Sequence, residues 1–147
     1  MEMTIKTKRL DERAKLPVRS SPSAAGSDLY ALLDAPLTVE AGTTEFVRTG
    51  LAIEIPEGYA GFVFARSGLA SKRGLAPANK VGVIDSDYRG ELTVALHNHT
   101  GAPVTIEPFE RIAQLVIMPV ASAVFEETDE LSNTERGSGG FGSTGTV

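Results

Sequence analysis

Apolar and polar residues alternate along much of this chain with the period of two that marks β-strands, and the 3.6-residue period of helices is nearly absent. Val47, Thr49, Leu51, Ile53 and Ile55 alternate with Arg48, Gly50, Ala52 and Glu54, and Leu92, Val94 and Leu96 alternate with Glu91, Thr93, Ala95 and His97. Ile112 to Met118 is apolar on both faces apart from Gln114, the pattern of a strand buried on both sides. Turn residues separate these runs, at Ala41-Gly42, Pro56-Glu57-Gly58, Tyr88-Arg89-Gly90 and Thr100-Gly101-Ala102-Pro103. Short strands with regular turns predict an all-β barrel or sandwich. One short helix is expected near Gly68 to Lys72, with Ser67 as its cap.

The last eleven residues break the pattern. Residues 137–147 read Gly-Ser-Gly-Gly-Phe-Gly-Ser-Thr-Gly-Thr-Val. A segment so rich in glycine has little to bury and predicts an arm that is flexible when free. The division expected is therefore a β-domain over 1–136 and a glycine-rich arm over 137–147. Glycine amides approach phosphates closely, hydroxyls add donors, and one aromatic can stack on a base.

Composition narrows the chemistry. The chain has 147 residues, a single-domain length, and no cysteine, which removes disulfides, thiolate nucleophiles and thiolate zinc sites. No apolar run approaches a membrane span and the N-terminus has no secretory h-region, so the cytoplasm is the expected compartment. The net charge of −5 disfavours general nucleic-acid binding. A polyanionic ligand would have to be met by local positive charge.

Three local patterns can carry chemistry. Arg66-Ser67-Gly68, after the Phe62-Val63-Phe64 strand, suits a phosphate cradle, although alone it reads as readily as a loop with an exposed arginine. Gly82 to Glu91 ends a strand in Asp85 and Asp87 and turns back. Spacing alone favours a simple turn over a metal ligand or general base. Gln114 interrupts an apolar strand and needs partners, most often neighbouring backbone. No phosphate-binding G-x-x-x-x-G-K-[ST] loop occurs, and His97 and His99 lack a third metal ligand at suitable spacing.

Taken in order, five segments resemble the homotrimeric dUTPase family over nearly the whole chain. They are Ala25-Gly26-Ser27-Asp28-Leu29, Arg66-Ser67-Gly68-Leu69-Ala70, Gly82 to Gly90, Arg111-Ile112-Ala113-Gln114-Leu115, and Arg136 to Gly145. The resemblance implies a distorted jelly-roll β-barrel, a homotrimer, and sites shared between subunits, with the last segment closing over each. It implies hydrolysis of dUTP to dUMP and pyrophosphate, which limits uracil in DNA and supplies dUMP for dTMP synthesis. Asp85 is then the base that activates water against the α-phosphorus. Arg66, Ser67, Gly68 and Gln114 hold phosphates, and Arg136, Ser143 and Thr144, beside Gly142, hold the γ-phosphate. Asn79, Gly82, Val83 and Ile84 read uracil, Tyr88 packs beneath the sugar and excludes a 2′-hydroxyl, and Phe141 stacks on the base. Mg²⁺ is held mainly by triphosphate and water, with Asp28 supporting it from outside. Three positions depart from the family pattern: Phe109 where glycine is frequent, Ala65 where proline is frequent, and Asn79-Lys80-Val81 as a variant before Gly82. Two alternatives stay open: a dCTP deaminase, or bifunctional deaminase–diphosphatase, on the same fold, and a non-enzymatic trimeric nucleotide-binding barrel.

Overall fold

The computed structural model describes residues 3–141. Eleven strands and one short helix follow in the order β1 (Lys6–Arg9), β2 (Ser27–Tyr30), β3 (Leu37–Val39), β4 (Thr44–Arg48), β5 (Leu51–Glu54), β6 (Tyr59–Phe64), α1 (Ser67–Arg73), β7 (Leu75–Pro77), β8 (Gly82–Ile84), β9 (Thr93–Asn98), β10 (Val104–Ile106) and β11 (Arg111–Pro119). All pairings are antiparallel, in sheets ordered β2-β11-β6-β8, β4-β9-β7, β1-β5 and β3-β10. Side chains from these sheets meet in one core. Leu29, Val39, Val47, Leu75, Leu96, Ile106 and Ile112 are fully buried in it.

The alternation around Val47 to Ile55 predicts burial well, since Val47, Thr49, Leu51, Ile53 and Ile55 are all buried. It does not form one strand. The run breaks at Thr49-Gly50, where Gly50 takes φ +72°, so β4 joins one sheet and β5 another. Thr49 is buried yet satisfied, because its Oγ1 donates to the Leu92 carbonyl at 2.6 Å. The alternation survives because both halves turn the same face inward, and only glycine makes the corner without steric cost.

The helix starts one residue earlier than expected. Arg66, with extended dihedrals, is the N-cap and makes no capping bond, while Ser67 lies inside the helix. Ser67 therefore does not cap, and its carbonyl instead accepts the Ser71 hydroxyl at 2.5 Å. The helix ends on Gly74 at φ +68°, whose N–H reaches back to the Ala70 and Leu69 carbonyls.

β11 departs from the expected two-sided burial. Ile112, Ala113 and Leu115 are buried, whereas Val116, Ile117 and Met118 are only partly covered. Cross-strand partners point to the same side of a sheet. The register therefore puts Asp28, Gln114 and Phe64, then Val116, Phe62 and Val83, on one face of the four-stranded sheet, opposite the core. Val83 on this face is 62% exposed. The sequence signals burial that one subunit does not provide.

Beyond β11 the chain leaves the barrel. Residues 120–141 contain neither strand nor helix, and every residue from 119 to 138 is exposed. Val124 and Phe125 are 94% and 95% exposed. The chain thus departs well before the glycine-rich stretch at 137, because residues 120–136 have ordinary composition and nothing in it marks the departure.

Candidate active site

Two groups of side chains stand out, at opposite ends of the four-stranded sheet. The first gathers where β2, β11 and the β6–α1 junction meet. Asp28, pointing out of β2, is nearly buried and receives Arg66 Nε at 2.8 Å and Arg111 Nη1 at 3.1 Å. The Arg66 guanidinium also reaches the Arg111 carbonyl at 3.4 Å. Gln114 donates its amide to the Ala65 carbonyl at 2.8 Å, so the buried-strand glutamine does pair with backbone. Gly26 is cut to fit, since a Cβ there would stand 2.5 Å from Gln114 Oε1. Ser67 and Gly68 begin the helix beside this cluster, exposed to solvent. Two guanidiniums held by one carboxylate keep further N–H groups in the geometry that phosphate oxygens accept.

The second group is a pocket of about 350 Å³ between β8, the turn after it, and the outer side of β4 and β9. Asn79, Gly82, Val83, Ile84, Asp85 and Tyr88 all line it. β8 is an edge strand, bonded only to β6, so one side of its backbone has no strand partner. Such an edge offers N–H and C=O groups at fixed spacing, which is what reading a planar base requires. Gly82 lies close against its neighbours, since a Cβ there would lie 3.3 Å from Val63 and 3.4 Å from the Asn79 amide. Lys80 turns the chain into β8 with φ +65°. Asp85 is exposed at the end of β8, and its carbonyl accepts the Tyr88 N–H at 3.1 Å. The turn is real, and it presents the carboxylate at the pocket's edge.

The pocket also draws on residues that sequence reasoning passed over. Phe46, 74% exposed on β4, and Glu91 and Thr93 complete its wall. The signal for Phe46 was available, as an aromatic at the outward position of an alternating strand.

The two groups do not meet within one subunit. Ile84 pairs with Gly61, so Asp85 lies level with Ala60, while Gln114 pairs with Phe64, four positions further along β6, and Arg66 follows the strand's end. At the strand rise of about 3.3 Å per residue, Asp85 and the level of Gln114 are about 13 Å apart along the strand. Arg136 and Phe141 approach neither group. The Arg136 Nε closes a local turn onto the Gly139 carbonyl at 2.7 Å, and Phe141 is fully exposed. Gly142, Ser143 and Thr144 lie outside the described residues.

The departure at Phe109 has a visible consequence. It occupies φ +61°, the region that favours glycine, and its N–H bonds the Ala31 carbonyl at 2.8 Å. Its ring lies 4.9 Å from Lys15 Nζ, which also sits 5.4 Å from the Tyr30 ring. Cation–π attraction of about 0.5–1 kcal/mol thus offsets part of the left-handed strain. Ala65, in a proline's usual place, accepts the Gln114 amide on its carbonyl, an acceptor that proline would equally supply.

His97 and His99 have ordinary side-chain partners. Thr44 Oγ1 bonds His97 Nδ1 at 2.9 Å and the two rings meet edge to face at 4.5 Å. Among the described residues no three His, Cys, Asp or Glu side chains could hold a metal, and no helix is long and apolar enough to cross a membrane.

Known proteins share this arrangement. The family model described as dUTPase matches residues 12–145. A deoxyuridine 5′-triphosphate nucleotidohydrolase of Desulfitobacterium hafniense is 56% identical over 93% of this chain and 91% of its own length. That of Syntrophotalea carbinolica is 50% identical over 97% of both chains. Among solved structures, the Staphylococcus bacteriophage 80alpha dUTPase with dUPNHPP superposes with a TM-score of 0.88 at 30% identity, covering 97% of this chain and 98% of that one. A phage phi11 dUTPase, described with a coordinated structural Mg(II) ion, superposes at 0.80 with 25% identity over 89% of this chain and all of that one. The all-β, distorted jelly-roll architecture expected from the sequence is the architecture of these proteins. On family model, identity and fold together, the chain belongs to the dUTPase family.

Proposed function

We infer that this protein hydrolyses dUTP to dUMP and pyrophosphate, and that its active sites are completed between subunits of a homotrimer. Family membership supports the reaction. The observation that carries the shared site is the separation of the carboxylate at Asp85 from the Arg66–Gln114 cluster by the length of a strand. A general base must lie within hydrogen-bond reach of the proton it removes, and about 13 Å of strand separates Asp85 from the level of Gln114, with Arg66 beyond the strand's end. The outward face of Phe62, Val83, Val116 and Met118 gives neighbouring subunits an apolar surface on which to meet.

The reaction then follows from the groups in place. Uracil enters beside Asn79 and the free edge of Gly82, Val83 and Ile84. Unpaired backbone groups penalise cytosine by about 1–3 kcal/mol per group, and a tight hairpin around the base would clash with thymine's methyl. Tyr88 packs beneath the deoxyribose. Asp85 orients a water and takes its proton as the oxygen attacks the α-phosphorus. The bond from that phosphorus to the bridging oxygen breaks, and pyrophosphate leaves toward Arg66, Ser67, Gly68 and Gln114 of a neighbouring subunit. Arg136, Phe141, Gly142, Ser143 and Thr144 come from the arm. The full exposure of the arm's barrel-proximal half supports its reaching a site other than its own. Phe141 stacks on uracil, a contact of about 1–3 kcal/mol, and helps exclude water.

Both Asp28 oxygens are held by arginines, so this carboxylate suits contact with a hydrated ion and not direct ligation. Mg²⁺, bound chiefly through the triphosphate, would supply charge neutralisation and fix the phosphate conformation.

The test is pyrophosphate release from dUTP, dCTP, dTTP and UTP, with ammonia release from dCTP as the deaminase control. Release from dUTP alone is expected. Asp85→Asn should bind dUTP but turn over at least about 10²-fold slower. A wild-type rate would remove Asp85 from the mechanism.

A further inference from the structure

The Tyr88 ring is held from two sides, and the second of these leads away from the pocket. Tyr88 folds back over Gly90, where a Cβ would stand 2.4 Å from its hydroxyl oxygen and 2.5 Å from Cζ. Its hydroxyl donates to the Glu91 carbonyl at 3.0 Å. Glu91 is itself tied down. Its carboxylate accepts the Gly50 N–H at 2.8 Å and Arg48 Nε at 3.0 and 3.1 Å. That corner is rigid. Thr49 is buried and bonds the Leu92 carbonyl through both N–H and Oγ1, Leu92 N–H returns to the Leu51 carbonyl at 2.7 Å, and Gly50 holds φ +72°.

We propose that Glu91 is a positioning residue for the sugar side of the pocket. Its carboxylate clamps the turn after β8 to the β4–β5 corner, and so fixes the carbonyl that holds the Tyr88 hydroxyl. The proposal rests on Tyr88 being the residue that meets the deoxyribose. A ring held at both its face and its hydroxyl cannot yield to a 2′-hydroxyl. Arg89 ties the turn only to itself, its Nη1 bonding the Ser86 and Tyr88 carbonyls at 2.6 and 3.0 Å; with the Glu91 side chain removed, the turn loses its charged link to the β4–β5 corner, and the ring can tilt to admit ribose. The cost falls on discrimination before turnover, because Glu91 acts on the Tyr88 hydroxyl through the turn, whereas Asp85 meets that turn only through its backbone carbonyl, bonded to the Tyr88 N–H at 3.1 Å.

The experiment compares kcat/KM for dUTP and UTP in wild type, Glu91→Ala, Glu91→Gln, Arg48→Gln, Tyr88→Ala and Tyr88→Ala/Glu91→Ala. Sedimentation and circular dichroism verify that each variant is folded and assembled. Glu91→Ala should lower the dUTP/UTP preference at least about tenfold, in the range expected when a contact shifts by a fraction of an ångström. Glu91→Gln keeps an oxygen for the Gly50 N–H and should restore most of the preference. Arg48→Gln removes the anchor without touching the turn and should lower it in the same direction. The double variant should discriminate no worse than Tyr88→Ala. Unchanged preference in a folded Glu91→Ala, with Tyr88→Ala impaired, overturns the role of Glu91 alone. So does additive loss in the double variant, which would show that Glu91 acts elsewhere. If Tyr88→Ala keeps full preference, the sugar contact itself is wrong and the proposal falls with it.

Discussion

Replacing Asp28 by alanine tests whether the phosphate cluster is a charge-balanced unit. The Asp28 side chain is 10% exposed and binds Arg66, 27% exposed, and Arg111, 47% exposed. Breaking a buried ion pair by deleting one partner costs about 3–5 kcal/mol, because the other charge is left uncompensated. Neither arginine is fully buried, so the Arg66 contact is worth about 2–3 kcal/mol here and the more solvated Arg111 contact under about 1 kcal/mol. The two guanidiniums, no longer separated by a carboxylate, repel each other and swing toward water. A total near 3 kcal/mol is expected. For a chain of this size it corresponds to a fall in Tm of about 6–12 °C. Urea unfolding at fixed protein concentration should show a lower midpoint with an unchanged m value. The decisive readout is activity per folded molecule. If Asp28 aims Arg66 at substrate, kcat/KM for dUTP falls about 10²-fold below the stability loss, as misplacement by about 1 Å predicts. If folded Asp28→Ala keeps wild-type kcat/KM, the cluster is a structural clasp and its assignment as the phosphate receptor is refuted.

Further substitutions probe the same geometry. Gly26→Ala drives a methyl against Gln114 Oε1 and should break the bond to the Ala65 carbonyl, lowering kcat/KM for dUTP at least about tenfold; unaltered kinetics would mean Gln114 does not serve the substrate. Phe109→Gly relieves a left-handed backbone that Phe109→Ala retains, so the glycine variant should be the more stable of the two by about 1 kcal/mol in urea, and equal midpoints would contradict the strain. Hydrogen bonds from the Arg13 side chain and backbone hold the Asp11 carboxyl down to about 2 from 3.8. A carboxyl depressed in the fold stabilises above its unfolded value and loses that contribution as pH falls from 3.8 toward about 2. Arg13→Ala should therefore flatten the midpoint-against-pH curve in that window, while a curve of unchanged slope would discount the pair. Deleting residues 137–147 should cripple turnover and leave the assembly intact, with sedimentation as the check.

Much of the fold was legible because a two-residue period reports burial directly. Val47 through Ile55 and Leu92 through Leu96 have the predicted inward residues. What the period does not report is connectivity. The same alternation continues across Gly50 while the chain changes sheets, since burial parity is kept through a corner. The helix cap was misjudged by one residue, because Ser67 has a capping side chain whereas the extended dihedrals fall on Arg66. Phe46 is marked in the sequence only as an outward aromatic, Thr93 has an ordinary strand role and Glu91 reads as part of a turn, and only tertiary packing brings them beside β8. Phe109 could be noted as a departure, but its compensation by Lys15, far away in sequence, depends on the fold.

The largest disagreement between sequence and single subunit is also the most informative. Val116, Ile117 and Met118 carry the apolar pattern of a strand covered on both sides; Ile117 packs against the core, yet in one subunit Val116 and Met118 lie on the open outer face with Phe62 and Val83. Burial signals are written by the state in which the chain is stable, and a chain this small gains area by association. The same sheet face carries Asp28 and Gln114 at one end, while the base follows the strand at the other. On the proposed function, the apolar strip is continuous with the Asp28–Arg66–Gln114 cluster, and packing copies about this face would hide the strip and bring one subunit's Asp85 toward another's Arg66 in a single step. Assembly and completion of the site are one event on this reading. A substitution such as Val116→Asp, which charges the strip without touching a polar group, should abolish trimer and turnover together in sedimentation and pyrophosphate assays. An active monomer would separate the two and refute it.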